Sequence, residues 1–168
     1  MEYDFADDAR DVRSLLGDAV EAYLHSRDRA PAEHPAVSRV ELSLLPGDAT
    51  TEPTLYVDFD TRPGASWDGD ANFPGIAEVS RPAWKDLFLA APGDGVVGKF
   101  PDVSVHAAPD GQGEYGEDAD DVVARFLIAA LAAARAEGVF DRVAEREGLR
   151  LTLTYDGNPV WEDPVAEG

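Results

Sequence analysis

The sequence predicts an α+β domain. The expected architecture is an antiparallel sheet of about four to five strands, with a long N-terminal helix and a central apolar helix over 119–137 packed on one face. Three observations carry this. Apolar residues recur at spacings of three and four near the start of the chain and again over 119–137, the period of a helix with one buried face. Segments 38–45, 55–60 and 149–155 alternate apolar and polar residues, the period of a half-buried strand. The order is helix, strand pair, irregular middle, helices, strand, without the regular alternation of a doubly wound sheet.

The first helix is predicted over 4–26, from Phe5, Ala9, Val12, Leu16, Ala19 and Tyr23. Asp4, Asp7 and Asp8 sit where the helix dipole favours negative charge. Pro31 and Pro35 mark the loop that follows. In 38–45, Val40, Leu42 and Leu44 face one way and Arg39, Glu41 and Ser43 the other. Leu55, Val57 and Phe59 repeat the pattern after a loop with Pro46, Gly47 and Pro53, so the two strands are expected to pair antiparallel. Residues 61–82 hold six glycines and prolines and are predicted as a long loop with a short strand at 76–79. A short helix is expected over 83–91 and a strand broken at Pro101 over 95–107. The helix over 119–137 carries Val122, Val123, Phe126, Leu127, Ala130, Leu131 and Ala134, with Asp118 and Asp120 at its start and Gly138 at its end. A further helical piece over 139–147 ends at Gly148. Leu149, Leu151, Leu153 and Tyr155 then form a strand, Asp156-Gly157 a turn, and Val160 and Trp161 a short return strand.

The 168 residues fit one domain, 1–168. The formal net charge is −20, divided equally between the two halves of the chain. Such uniform acidity favours solubility. It opposes binding to nucleic acid or anionic membranes, which needs clustered Lys and Arg. There are no cysteines, so disulfides, thiolate metal sites and cysteine catalysis are excluded. The opening MEYDFADDAR lacks the apolar run of a signal peptide, and no stretch reaches a membrane span. The expected setting is the cytoplasm.

Two groups of residues are candidates for function. Asp58 and Asp60 share one face of a strand, and Asp68 and Asp70 follow in WDGD. Converging carboxylates are what a hard cation such as Ca²⁺ or Mg²⁺ requires. The segment from Asp68 begins like an EF-hand loop, but Phe73 stands where that loop needs Gly and Val79 where it needs Glu. The second group is aromatic and acidic: Trp67 and Phe73 in the long loop, Tyr115, and Asp118, Asp120 and Asp121 in a stretch without Lys or Arg between Lys99 and Arg125. Aromatic residues flanked by acids suit an interface with a basic protein. Trp67 and Phe73 are equally suited to folding back over the sheet.

His25, His34 and His106 belong to no zinc or triad motif and are expected to be structural or on the surface. No phosphate-binding loop is present; PGDGVVGKF at 92–100 has the wrong spacing. The sequence therefore points to a non-catalytic binding or inhibitor-type protein for a basic partner, with no cofactor. The alternative is a carboxylate-based enzyme or sensor using Ca²⁺ or Mg²⁺ at 58–70. A homodimer completed by an apolar helix face is the third option.

Overall fold

The computed structural model describes residues 2–25, 35–48, 50–62, 71–88, 97–99, 119–144 and 148–163. Their order is β1 (Glu2–Asp4), α1 (Ala6–His25), β2 (Arg39–Leu45), β3 (Thr54–Asp60), β4 (Phe73–Ser80), α2 (Trp84–Phe88), β5 (Val97–Lys99), α3 (Ala119–Ala136), β6 (Arg150–Tyr155) and β7 (Asn158–Glu162). The fold is mixed α and β.

The principal sheet has five strands in the order β4-β3-β2-β6-β7. It is mixed, which corrects the purely antiparallel sheet expected from the sequence. β2 runs antiparallel to β3, as predicted, but parallel to β6, with Val40 opposite Leu151 and Leu42 opposite Leu153. The reason lies in the connection. β3 follows β2 through a short loop, whereas β6 arrives only after α3, and a strand reached by a long crossover can enter from the same end as its neighbour. Apolar alternation looks the same for either direction. β1 and β5 add a separate parallel pair.

Each element ends where local chemistry dictates. Asp4 accepts a hydrogen bond from the Ala6 amide at 2.9 Å, and Phe5 O receives the Ala9 amide at 2.8 Å, which starts α1. At the end of α3, the Gly138 amide donates to Arg135 O and the Val139 amide to Ala134 O, both at 3.0 Å. Gly138 has φ 77°. This is the two-bond closure of a helix on a left-handed glycine. Asp156 and Gly157 both have positive φ, 49° and 77°, as a tight hairpin turn between β6 and β7 requires.

The region predicted as mostly loop contains the eight-residue strand β4, paired antiparallel with β3. The helical piece expected at 139–147 is instead a run of turns to Val143, followed by a bridge between Val37 and Ala144. Of the strand expected over 95–107, only β5 lies within the described residues.

One hydrophobic cluster joins the elements. Val40, Leu42, Leu44, Leu55, Val57, Phe59, Leu151 and Leu153 meet Val12, Leu16, Ala19 and Tyr23 of α1 and Val122, Val123, Phe126, Leu127, Leu131 and Ala134 of α3, all buried. Phe5 stacks on Phe126 with ring centroids 4.5 Å apart, and Trp84 meets Phe126 edge-on at 6.2 Å.

Candidate functional site

The other face of the sheet is polar, because strand side chains alternate. β2 presents Arg39, Glu41, Ser43 and Leu45 there; β3 presents Tyr56, Asp58 and Asp60. The register aligns them: Arg39 opposite Asp60, Glu41 opposite Asp58, Ser43 opposite Tyr56. On the other side of β2, Arg39 faces Arg150, Glu41 faces Thr152 and Ser43 faces Thr154. Tyr56 also faces Glu78 of β4.

One end of this face is a closed ionic network. Arg39 and Asp60 are both fully buried. Arg39 Nη2 lies 3.5 Å from carboxylate oxygens of both Glu41 and Asp60. Its three side-chain nitrogens are buried without a hydrogen-bond acceptor, so the attraction is ionic. Arg62 supplies Asp60 with hydrogen bonds from its amide and from its side chain at 2.6–3.0 Å. Burial pushes the Asp60 carboxyl upward, but those hydrogen bonds and the charges of Arg62 and Arg39 outweigh it and hold it below the usual value. Glu41 goes the other way. Burial raises its pKa, Arg39 opposes that, and Asp58 adds to the rise. Arg150 pairs with Glu162 at 3.3 Å.

The opposite end is looser. Ser43 accepts a hydrogen bond from Thr154 at 2.8 Å. Asp58 Oδ1 accepts from the Gly75 amide at 2.5 Å, across the irregularity that separates the β3–β4 pairing at Val57 and Phe59. Leu45 and Val160 are exposed, at 39% and 44%.

A second buried polar cluster ties α1 to the end of β4. Asp8 accepts from Trp84 Nε1 at 3.0 Å and from Arg81, which also donates to Asp11 at 2.6 Å. Tyr3 borders it. Burial, reinforced by Asp8, pushes its hydroxyl up to about 12. This cluster joins sequence-distant elements, with Asp8 and Trp84 buried and Asp11 at the surface.

Of the residues singled out from the sequence, Asp58 and Asp60 do share a face, as expected. Asp60 is engaged by arginines, however, and Asp68 and Asp70 lie outside the described residues. Among the described residues no three His, Asp or Glu are grouped so as to hold a metal ion. Phe73 opens β4, partly buried against the core, with its ring edge-on to Tyr23 at 5.1 Å. Asp120 and Asp121 lie in the first turn of α3; their side chains, and all of Trp67, Tyr115 and Asp118, lie outside the described residues. His25 ends α1, its Nδ1 2.7 Å from Glu21 O, while His34 and His106 lie outside. Alternation in the sequence places Arg39, Glu41 and Tyr56 outward but assigns no face to Glu78. Only the cross-strand register brings the four residues onto one face.

No helix among the described residues is long and apolar enough to cross a membrane. No model of a known protein family, no curated protein and no solved structure matches the chain.

Proposed function

We propose that this chain is a non-catalytic, inhibitor-type binding protein of the cytoplasm whose partner is a basic protein. The observation that carries the reading is the state of its cations. The net charge is −20, and eight arginines among the described residues are already committed. Arg10, Arg13, Arg39, Arg62, Arg81, Arg135, Arg142 and Arg150 are each ion-paired with carboxylates of the same chain. With 34 acidic residues against 14 basic ones, carboxylates outnumber the cations that could pair with them. Such a surface speeds encounter with a positive partner and rejects negative ones. The stretch from Asp102 to Asp121, with Asp118, Asp120 and Asp121, contains no Lys or Arg.

The test is capture from the native host followed by kinetics on the identified partner. The expected partner is basic, associates more slowly as salt rises, and associates more slowly with the Asp118→Lys/Asp120→Lys/Asp121→Lys variant. A neutral or acidic partner, or an association rate indifferent to both salt and charge reversal, rejects the reading.

A further inference from the structure

We propose that Glu41 and Asp58, side by side across β2 and β3, share one proton and make the middle of the polar sheet face a pH-sensitive element of the fold. Nothing outside the chain is needed for it to act, so it stands whatever the partner proves to be.

The register sets the two carboxylates opposite each other, and like charges directly opposite on neighbouring strands are destabilising. Each carboxylate has one oxygen engaged elsewhere. Glu41 Oε2 lies 3.5 Å from Arg39 Nη2, and Asp58 Oδ1 accepts the Gly75 amide at 2.5 Å. The other two oxygens converge on a single hydroxyl. Ser43 Oγ is 3.2 Å from Glu41 Oε1 and 3.5 Å from Asp58 Oδ2. Ser43 itself accepts from Thr154 at 2.8 Å, and it has one proton to donate. Both of its carboxylate distances exceed the roughly 2.5–3.0 Å of a good O–H···O bond. One hydroxyl is therefore divided between two anions. A proton taken from solvent by Glu41 Oε1, and donated in a hydrogen bond to Asp58 Oδ2, completes the arrangement without changing any other bond. The Glu41 side chain is 16% exposed, which gives water access to it.

The surroundings direct that proton to Glu41. Its own strand supplies Arg39 and Ser43. From β3 it faces Asp58, with Tyr56 and Asp60 on either side; from β6 it faces Thr152, with Arg150 and Thr154 on either side. Arg39 is divided between Glu41 and Asp60, and its nitrogens hydrogen-bond to neither. Arg62 pairs with Asp60, and Arg150 with Glu162. Asp58, by contrast, has a backbone donor of its own. Burial, with Asp58 and Asp60 adding to it against Arg39 and Ser43, raises the Glu41 pKa. The folded state thus favours neutral Glu41. The stability this proton contributes is complete below the ordinary value of 4.5 and is lost as pH rises through the higher folded value. Acid therefore tightens this pairing of β2 with β3, the reverse of its effect on Asp60, whose charge the fold prefers.

Carboxyl-carbon NMR titration of the whole chain, with melting curves, tests this. In wild type Glu41 should titrate above 4.5, with an inflection that the Asp58 carboxyl also senses, because coupled groups titrate as a pair. Asp58→Asn should move the Glu41 midpoint down toward the ordinary value and leave a single step. Glu41→Gln, whose amide stands in for the protonated acid, should raise the melting temperature at neutral pH by about 2–4 °C. That advantage should vanish as the solution is acidified below 4.5. A Glu41 midpoint at or below 4.5, or one that Asp58→Asn leaves in place, overturns the shared proton whatever the melting curves show. A Glu41→Gln variant less stable than wild type at neutral pH means that Arg39 holds Glu41 as a charge, and the pH-sensitive element falls. Neither result bears on the basic partner.

Discussion

The two faces of the five-stranded sheet solve the burial problem by different means. On one face, Val40, Leu42, Leu44, Leu55, Val57, Phe59, Leu151 and Leu153 are buried in a cluster that includes α1 and α3. On the other, Arg39 and Asp60 are equally buried but charged, and Thr152 and Thr154 lie beside them. The first face is held by water exclusion, which is non-directional and tolerant of repacking. The second depends on keeping both members of each ion pair, because a single buried charge is far costlier than a pair. The lesson is that burial alone does not mark the hydrophobic core. The chemistry of the buried group decides how the protein breaks.

The largest effects should come from the apolar face. Phe126 is buried, stacked on Phe5 and edge-on to Trp84. Phe126→Ala should cost about 3–5 kcal/mol and Leu127→Ala about 2–5 kcal/mol, as large-to-small core changes do. Equilibrium denaturation measures this. A loss below about 1 kcal/mol, close to that of ordinary surface changes, would place α3 outside the stability core.

The polar face comes next. Asp60→Ala strips Arg39 and Arg62 of their shared carboxylate and should destabilise by about 3 kcal/mol, toward the lower end for a broken buried pair. The double variant Arg39→Met/Asp60→Leu removes both charges and should recover much of that loss. If the double variant is no better than the single one, the network is not held by the pairing of its charges, and the contrast between the faces is wrong. By the same logic Ca²⁺ or Mg²⁺ should raise the melting temperature equally in wild type and Asp58→Asn, through screening alone. A shift confined to the wild type would revive the metal reading at 58–70.

How much of this was legible in the sequence depends on what each pattern encodes. Alternation in 38–45 and 55–60 encodes a face, and both faces came out as expected. It does not encode neighbours, so the parallel pairing of β2 with β6 was invisible, as was the meeting of Arg39, Asp60 and Arg150. β4 was hidden for another reason. Pro74 and Gly75 read as loop, but they sit at an edge strand, where a missing ladder donor is tolerated. Gly75 has φ 58° and its amide binds Asp58, so an apparent loop signal marks a kink inside a strand. The candidate site was half legible. Asp58 was singled out for the right face, whereas Tyr56 and Glu78 gain meaning only through cross-strand register.

The smaller predictions concern pH and separate an enclosed group from an exposed one. Tyr3 is pushed up to about 12 from its ordinary value of 10.0, first by burial and then by Asp8. The folded state therefore favours the protonated phenol. The stability this contributes is complete below pH 10 and declines as pH rises from there toward about 12. Tyr3→Phe should flatten that part of the alkaline melting profile. An unchanged alkaline profile would mean the hydroxyl is as well solvated folded as unfolded.

The smallest effect should come from Asp48, in the exposed loop that joins β2 to β3. Its Oδ1 accepts the amides of Thr50 at 2.7 Å and Thr51 at 2.9 Å, together with both hydroxyls. These bonds, the Thr50 amide first, lower its pKa from 3.8 to about 2. The charged form is thus the one the fold prefers. Its stabilisation is present above pH 3.8 and is lost as pH falls toward about 2. Gly47 beside it has φ 76°, and a Cβ there would meet Thr51 O at 2.5 Å, so the turn has little freedom to rearrange around a lost acceptor. Asp48→Ala should therefore lower the melting temperature slightly at neutral pH, and the gap from wild type should close as the solution is acidified through that window. Asp48→Asn, which keeps an acceptor but not the charge, should lie between the two at neutral pH and show less of the closing. If the gap stays constant from neutral pH down to about pH 2, the turn is held by Gly47 and the strand pairing rather than by the Asp48 carboxylate.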